Sequence, residues 1–165
     1  MAKYEAGFIG AGSMGGALAQ AAVKTAGGGR VAVACSTPEH SEEAAARLGC
    51  AAETAETILW ESRFVFLGVK PQMIAGVVKK LAGDIAGSDA IFVSMLAGTS
   101  LERLAELLGA DKKIIRIMPN TPCAVGQGLT LVAPNDRVTA EELADRKDVA
   151  SVQSLDRVAV LIKAG

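Results

Sequence analysis

The sequence predicts an α/β fold, a doubly wound and mainly parallel β-sheet with helices on both faces. Short apolar runs of strand length alternate with helical segments, as they do in βαβ units. The 165 residues are 50% hydrophobic but only 4% aromatic. Ala, Val, Leu and Ile therefore carry the apolar content, as expected of a sheet that is covered on both faces. The length suits one domain with a sizeable core.

The first part of the chain contains three strand–helix pairs. The predicted strands are residues 4–10, 30–35 and 50–52, and the predicted helices are residues 13–26, 38–48 and 54–61. Three glycines at positions 27–29 stop the first helix. Thr37 is a plausible N-cap of the second helix, Pro38 suits its first position, and Gly49 ends it.

The remainder of the chain continues the alternation and then weakens. The predicted strands are residues 64–69, 90–95, 114–118 and 129–132, and the predicted helices are residues 71–81 and 100–108. Beyond Pro134 the pattern predicts only a solvated helix at 139–147 and a possible last strand at 157–162.

A glycine motif lies between the first predicted strand and the first predicted helix. The segment Gly10-Ala11-Gly12-Ser13-Met14-Gly15 fits G-x-G-x-x-G. Gly10 permits a tight turn, Gly12 lets a pyrophosphate approach the backbone, and Gly15 allows close packing of helix on strand. Free N–H groups at the start of the helix then bind the anion. The motif in this context predicts a Rossmann-type domain with a dinucleotide site.

The end of the second strand indicates which dinucleotide is preferred. Sites for NAD usually carry an acid there, but this chain has Cys35-Ser36-Thr37-Pro38 and no acid before Glu39. Hydroxyl groups and helix N–H groups suit the 2′-phosphate of NADP, which a carboxylate would repel. The pattern therefore favours NADPH, with NADH possible because no arginine is adjacent. The alternative is that Ser36 and Thr37 serve only as helix caps.

Composition excludes several other classes of function. The net charge of −1 and the pI of about 5.9 provide no electrostatic footprint for nucleic acid. Cys35, Cys50 and Cys123 are far apart and the chain has one histidine, His40, so neither a disulfide framework nor a metal site is expected. We expect the cysteines to be small core residues and His40 to be exposed, with charge switching as its alternative role.

The sequence also lacks the features of a membrane or exported protein. No apolar run is long enough to span a bilayer, and the first residues do not form a signal peptide. Together with the cysteine pattern, this predicts a soluble, cytoplasmic protein that does not bind membranes.

Other candidate site residues follow the later strands, because ligands in open parallel sheets bind beyond the carboxyl ends of the strands. Lys70 is the only cationic side chain at these predicted ends. It could contact a phosphate, a ribose or a substrate carboxylate, or simply extend into solvent. Asn120 lies between two prolines that restrict its backbone, so its amide could meet a carboxamide ring with little ordering cost.

Four stretches closely resemble pyrroline-5-carboxylate reductases. They are FIGAGSMGGAL, FLGVKPQ, SMLAGTSLERL and, most specifically, RIMPNTPCAVGQGLT. The resemblance runs from about Tyr4 to about Val132. It implies an N-terminal Rossmann domain that binds NAD(P)H and a C-terminal helical domain that forms the dimer and much of the substrate site.

The resemblance also implies roles for individual residues. Gly10 to Met14 would contact the pyrophosphate, and Ser36 and Thr37 would lie near the adenosine 2′ position. The residues on the nicotinamide side would be Val69, Lys70, Pro71, Ala97 and Asn120. The implied reaction is hydride transfer to the imine carbon of 1-pyrroline-5-carboxylate, which yields proline. A protonated imine needs no strong protein base, so no catalytic residue is assigned, and Lys70 is a candidate for orienting the reactants.

Some features depart from the family. Ala55 stands where the family often has an asparagine near the adenosine, and Arg63 where an acid usually precedes the strand. We expect residues 1–133 to form the NAD(P)-binding domain and residues 134–165 to be its end or a linker. The family continues with a Gly-Ser-Gly-Pro-Ala segment and a helical domain that this sequence lacks. A fragment or a truncated relative is therefore expected, poorly active alone, whose full-length form is a homo-oligomer.

Two alternatives to the reductase remain open. The first is a nucleotide-binding module without catalysis, acting as a regulator or partner. The second is a related reductase that uses another imine or a hydroxy acid.

Overall fold

A computed structural model describes residues 2–118, 131–134 and 137–138 of the chain and contains a seven-stranded sheet. The strands are β1 (Tyr4–Ile9), β2 (Val31–Ala34), β3 (Ala51–Ala52), β4 (Ser62–Leu67), β5 (Ile91–Ser94), β6 (Lys113–Met118) and β7 (Leu131–Pro134). Their order across the sheet is β3-β2-β1-β4-β5-β6-β7. All neighbouring pairs are parallel except β6 and β7, which are antiparallel. The predicted fold class is confirmed.

Helices cover the sheet on both faces. They are α1 (Ser13–Ala26), α2 (Pro38–Leu48), α3 (Ala55–Glu61), α4 (Ile74–Lys80), α5 (Ala82–Gly87) and α6 (Leu101–Leu108). The helices α1 and α2 bury Leu18 and Ala44 in one apolar cluster, together with Phe8 and Phe66 of the strands. The other four helices contribute to a second cluster on the opposite face. The core is thus two apolar layers with the sheet between them, the arrangement that a doubly wound fold requires.

The start of α2 follows the predicted capping chemistry. The Thr37 hydroxyl accepts a hydrogen bond from the backbone N–H of His40 at 3.2 Å, and Pro38 occupies the first turn. The helix ends at Gly49, whose φ of 76° is the left-handed conformation that glycine adopts without strain. The cap fixes where the chain turns after β2, at the edge of the sheet where the candidate site lies.

The prediction of one helix over residues 71–81 is only partly right. The structure has a 3₁₀ turn at Pro71–Met73, then α4, then a break at Leu81 and a further helix, α5, which the sequence did not predict. The glycines in this short helix give it weak intrinsic propensity. Tertiary contacts stabilise its end instead, because the buried Lys112 ammonium donates to the carbonyls of Ala86 and Ser88 at 3.0 and 2.8 Å.

The last described strand, β7, runs antiparallel to β6, so the chain turns back after β6. Met118 pairs with Leu131, and Ile115 pairs with Pro134. The helix predicted at 139–147 and the strand predicted at 157–162 lie outside the described residues. Among the helices that the structure describes, none is long and apolar enough to cross a membrane.

Candidate cofactor site

The strand order places a crevice at the carboxyl ends of β1 and β4. The chain leaves β1 for β2 on one side, and β4 lies on the other side, so β1 and β4 form the topological switch point where doubly wound sheets bind ligands. The sheet hydrogen bonding continues to this point. The N–H of Gly10 donates to Ala34 O and the N–H of Gly68 donates to Ile9 O, both at 2.8 Å.

Three glycines let β1, α1 and the end of β4 approach one another closely at this crevice. A Cβ on Gly15 would lie 2.7 Å from the carbonyl oxygen of Gly10, and a Cβ on Gly68 would lie 2.5 Å from the same oxygen. Gly10 itself has a φ of +93°, which L side chains rarely adopt. The predicted roles of Gly10 and Gly15 therefore have a direct steric basis. Gly68, an equal member of this contact, lies outside the sequence motif and was missed.

Gly12, the middle glycine of the motif, does not take part in this close backbone contact. No described atom lies within 4 Å of the position that a Cβ on Gly12 would occupy, and Gly12 is exposed. It immediately precedes α1, so the first N–H groups of that 14-residue helix start beside open space. This arrangement suits a pyrophosphate that approaches the backbone from solvent.

A cleft of about 430 Å³ continues from the crevice. Gly10, Ser36, Thr37 and Val69, four of the predicted site residues, line it. Its apolar walls come from Val69, Met73, Val77 and Ala55. Met73 is a large apolar side chain left 51% exposed, which a planar ring in the cleft would cover. The cleft therefore fits a flat, mostly apolar heterocycle such as adenine.

The hydroxyl groups at the end of β2 are not equivalent. The Thr37 hydroxyl is the cap of α2, and the Thr37 carbonyl accepts from both the N–H and the hydroxyl of Ser41, at 3.0 and 3.1 Å. Ser41 Oγ in turn accepts from the N–H of Cys35 at 2.8 Å. Ser36 is exposed at the cleft, and its Oγ lies 3.4 Å from Nδ1 of His40. Thr37 thus caps the helix as expected, while Ser36 stays accessible to a ligand.

Acidic residues also line the cleft, a feature that the sequence pattern did not reveal. They are Glu42, Glu53 and Glu56. Glu53 is held on the inner side, because the buried Tyr4 hydroxyl donates to its Oε1 at 2.5 Å and the Lys3 ammonium lies 3.7 Å from the same oxygen. Burial raises the pKa of the Tyr4 phenol above its ordinary value, and the hydrogen bond to Glu53 acts in the same direction.

The remaining predicted residues lie at the same edge but do not line the cleft. Lys70 and Pro71 are exposed directly after Val69, and the Lys70 carbonyl accepts from the N–H of Met73 at 2.8 Å. Ala97 is exposed shortly after β5. Asn120 lies outside the described residues, two positions after Met118, where β6 ends. The structure thus places the described candidates along one edge of the sheet.

A second cavity, of about 530 Å³, lies at the opposite, amino edge of the sheet. Its walls include Trp60, Arg30, Arg63, Glu5 and Asp89. Although it is larger, it lies near the ends of α3 and α5, where helices present carbonyl groups. The chemistry of nucleotide binding therefore points to the carboxyl edge.

The fold, the glycine contact and the cleft define a nucleotide-binding α/β domain of the Rossmann type. The family model described as NADP oxidoreductase, coenzyme F420-dependent, matches residues 5–98, more than half of the chain. The chain belongs to this family.

Comparison with individual proteins shows which enzymes the chain is similar to. The chain is 37% identical over 142 residues to a pyrroline-5-carboxylate reductase of Escherichia coli, an alignment that covers 84% of this chain and 52% of that protein. The chain therefore spans about half the length of the curated relatives it matches.

Solved structures show the same relationship. The 1-pyrroline-5-carboxylate reductase of Streptococcus pyogenes matches with a TM-score of 0.70 and 28% identity, over 96% of this chain and 54% of that one. A Plasmodium falciparum pyrroline carboxylate reductase with NADP bound matches with a TM-score of 0.75 and 21% identity, over 95% and 56% of the two chains. At that identity the second match supports the fold alone.

Proposed function

We propose that this chain is the NADPH-binding part of a pyrroline-5-carboxylate reductase, an enzyme that reduces 1-pyrroline-5-carboxylate to L-proline. One structural observation carries the cofactor assignment. The glycine contact at the switch point brings the start of α1 against β1 and β4, while Gly12 beside it faces open space. The similarity to the reductases of Escherichia coli and Streptococcus pyogenes supports the substrate.

In this proposal, separate groups of residues would bind the pyrophosphate, the adenine and the 2′-phosphate of NADPH. The segment from Gly10 to Gly15 would hold the pyrophosphate through backbone N–H groups, as the open Gly12 position suggests. The adenine would lie against Val69 and Met73 in the cleft, and Ser36 would meet the 2′-phosphate. We keep Thr37 beside that position and Val69, Lys70, Pro71, Ala97 and Asn120 on the nicotinamide side as predictions.

The reduced nicotinamide, once bound, would supply the hydride for the imine carbon. The chain's own contribution is to bind and orient. Its rigid glycine contact fixes the phosphates, and the exposed Lys70 ammonium at the end of β4 could orient a carboxylate or the cofactor. None of the described cleft residues needs to act as a strong base, because the imine is a better hydride acceptor when it is protonated.

The proposal also covers the domain boundaries, the oligomeric state and the compartment of the full-length enzyme. Residues 1–133 would form the cofactor domain and residues 134–165 its end or a linker to a helical domain. The full-length enzyme would be a cytoplasmic homo-oligomer, with a substrate site completed by that further domain. The net charge of −1 is in keeping with a small-molecule substrate.

The first experiment is a calorimetric titration of the chain with NADPH and with NADH. We expect saturable binding of both, tighter for NADPH, and poor proline formation when 1-pyrroline-5-carboxylate is added. Absence of binding to either nucleotide would contradict the cofactor assignment. Fusing the chain to the remaining half of the Escherichia coli relative is expected to restore turnover, and a fusion that binds NADPH but does not reduce 1-pyrroline-5-carboxylate would contradict the substrate assignment.

A further inference from the structure

The contact between Ser36 and His40 links the cleft to the single histidine of the chain. Ser36 lines the cleft, and its Oγ lies 3.4 Å from Nδ1 of His40. The backbone of His40 is fixed by its hydrogen bond to the Thr37 cap. The imidazole itself is exposed and does not line the cleft. His40 can therefore influence a ligand only through Ser36 or through its charge.

The direction of this hydrogen bond depends on both the protonation and the tautomer of the imidazole, because a neutral ring that carries its hydrogen on Nδ1 also donates to Ser36. A neutral ring with its lone pair at Nδ1 accepts from the Ser36 hydroxyl, which leaves only oxygen lone pairs for the cleft. A protonated ring donates from Nδ1, so the Ser36 oxygen accepts and its own hydrogen becomes free to point elsewhere. The first state suits the 2′-hydroxyl of NADH, which can donate. The second suits the ionised oxygens of the 2′-phosphate of NADPH, which accept hydrogen bonds.

We propose that His40 sets, through the Ser36 hydroxyl, how strongly the cleft prefers a 2′-phosphate over a 2′-hydroxyl group, and that the preference strengthens when the imidazole gains a proton. This inference rests on the proposed NADPH binding. It assigns to His40 a positioning role, to which the positive charge of the ring adds a direct attraction for the phosphate. No arginine is adjacent to Ser36 in the sequence to provide this attraction.

The charged surroundings of His40 are mostly acidic. They are Glu39, Glu42, Glu43 and Arg47 on α2, Glu53 and Glu56 around the start of α3, and Lys80 on α4. The helix α1, which packs against α2, has no charged residue before Lys24, and β2 and β3 have none. The acids oppose a phosphate, so a cation beside Ser36 has a clear effect.

The test compares three chains, wild type, His40→Gln and His40→Arg. For each, the dissociation constants of NADPH and NADH are measured at several values between about pH 6 and pH 8. We expect the ratio of NADH to NADPH dissociation constants in the wild type to exceed that of His40→Gln by about two- to fivefold at the lowest pH of the series, and the difference to shrink as the pH rises. The His40→Arg chain keeps the higher ratio at both ends. Protonation of the 2′-phosphate in free NADPH is the same for all three chains, whereas its protonation in the complex responds to the charge at position 40 and is part of the effect that His40→Arg measures.

Two controls separate this role from a merely structural one. Glu39→Gln changes the charge of the same helical turn by one unit, and we expect it to shift NADPH affinity equally at every pH. In a Ser36→Ala background, replacement of His40 by Gln is expected to lose most of its effect. A His40→Gln chain with the pH profile of the wild type would overturn the inference while leaving the proposed function intact. Failure of all chains to bind NADPH would overturn both.

Discussion

The sheet has a cavity at each edge, and different parts of the backbone and different side chains line the two cavities. The cleft at the carboxyl edge, about 430 Å³, lies beside strand ends, glycines and the starts of helices. The cavity at the amino edge is larger, about 530 Å³, and its walls include the indole of Trp60 and side chains of both charge signs. Volume alone would therefore favour the amino edge, whereas the proposed nucleotide site lies at the carboxyl edge.

The difference shows that backbone direction defines this site. Because β1 and the strands parallel to it run the same way, the helices that follow them begin at the carboxyl edge and end at the amino edge. Unsatisfied N–H groups therefore face one cavity and unsatisfied carbonyls face the other. Only the first arrangement favours a phosphate group.

The largest expected effect concerns the glycine contact that holds the carboxyl edge together. We expect Gly68→Ala to lower the free energy of unfolding by about 2–4 kcal/mol, because its Cβ would collide with the backbone carbonyl of Gly10. Urea denaturation measures this. Gly76→Ala in α4 is the matched control, since no described atom lies near its Cβ position, and we expect a gain of about 0.5–1 kcal/mol. Equal stability of the two variants would contradict the steric account.

The next expected effect separates ligand binding from folding at the same loop. Gly12→Val places its Cβ where no described atom outside the neighbouring residues lies within 4 Å, so we expect the melting temperature to change little. The side chain would occupy the approach of the pyrophosphate, and NADPH binding is expected to weaken at least about tenfold. Calorimetry measures the NADPH affinity, and thermal denaturation of the same sample measures the melting temperature. Unchanged affinity would mean that the phosphates bind elsewhere.

A third comparison uses the two exposed large apolar side chains, one at each edge. Met73 is 51% exposed at the cleft and Trp60 is 58% exposed at the other cavity. We expect Met73→Ala to weaken NADPH and NADH alike by about three- to tenfold, through lost apolar contact with the adenine. Trp60→Ala is the control and is expected to leave both affinities unchanged. A larger effect from Trp60 would move the nucleotide site to the amino edge.

The smallest effect concerns Tyr4, whose hydroxyl reaches Glu53 at the cleft. We expect Tyr4→Phe to lower the free energy of unfolding by about 1 kcal/mol at neutral pH, because a hydrogen bond is lost. The pKa of Tyr4 is raised in the folded protein, chiefly by burial. Its contribution is therefore complete below the ordinary phenol pKa of about 10 and is lost as pH rises through the folded value.

The measurement for Tyr4 is denaturant unfolding at neutral and alkaline pH. Because the chain contains one tyrosine, tyrosinate absorbance reports its ionisation directly. The stability difference between the wild type and Tyr4→Phe is expected to shrink above about pH 10. A difference that grows with pH would show that the folded protein favours the phenolate instead.

Much of the carboxyl edge could be predicted because it depends on local sequence signals. The motif from Gly10 to Gly15 and the cap at Thr37 act within one turn of chain, so residue type and spacing suffice. The strands were found from continuous apolar runs, which a sheet buried on both faces produces. These predictions needed no knowledge of distant contacts.

The features that were missed depend on contacts between residues far apart in sequence. Gly68 is special only because Gly10 lies against it, and Met73 only because the cleft leaves it uncovered. The end of helix α5 contacts the buried Lys112, which immediately precedes β6. Such contacts arise from the order of the strands and helices in space, which the pattern of apolar residues along the sequence does not reveal.

The two outermost strands of the described sheet have a further consequence for how copies of this chain meet. Long, exposed strand edges invite another chain to add a strand. Here β3 is only Ala51–Ala52, and β7 ends in Pro134, which has no N–H to donate. Neither border offers a long ladder of free hydrogen-bonding groups. Self-association by extension of these two described strands, the common route to amyloid-like aggregation, is therefore disfavoured.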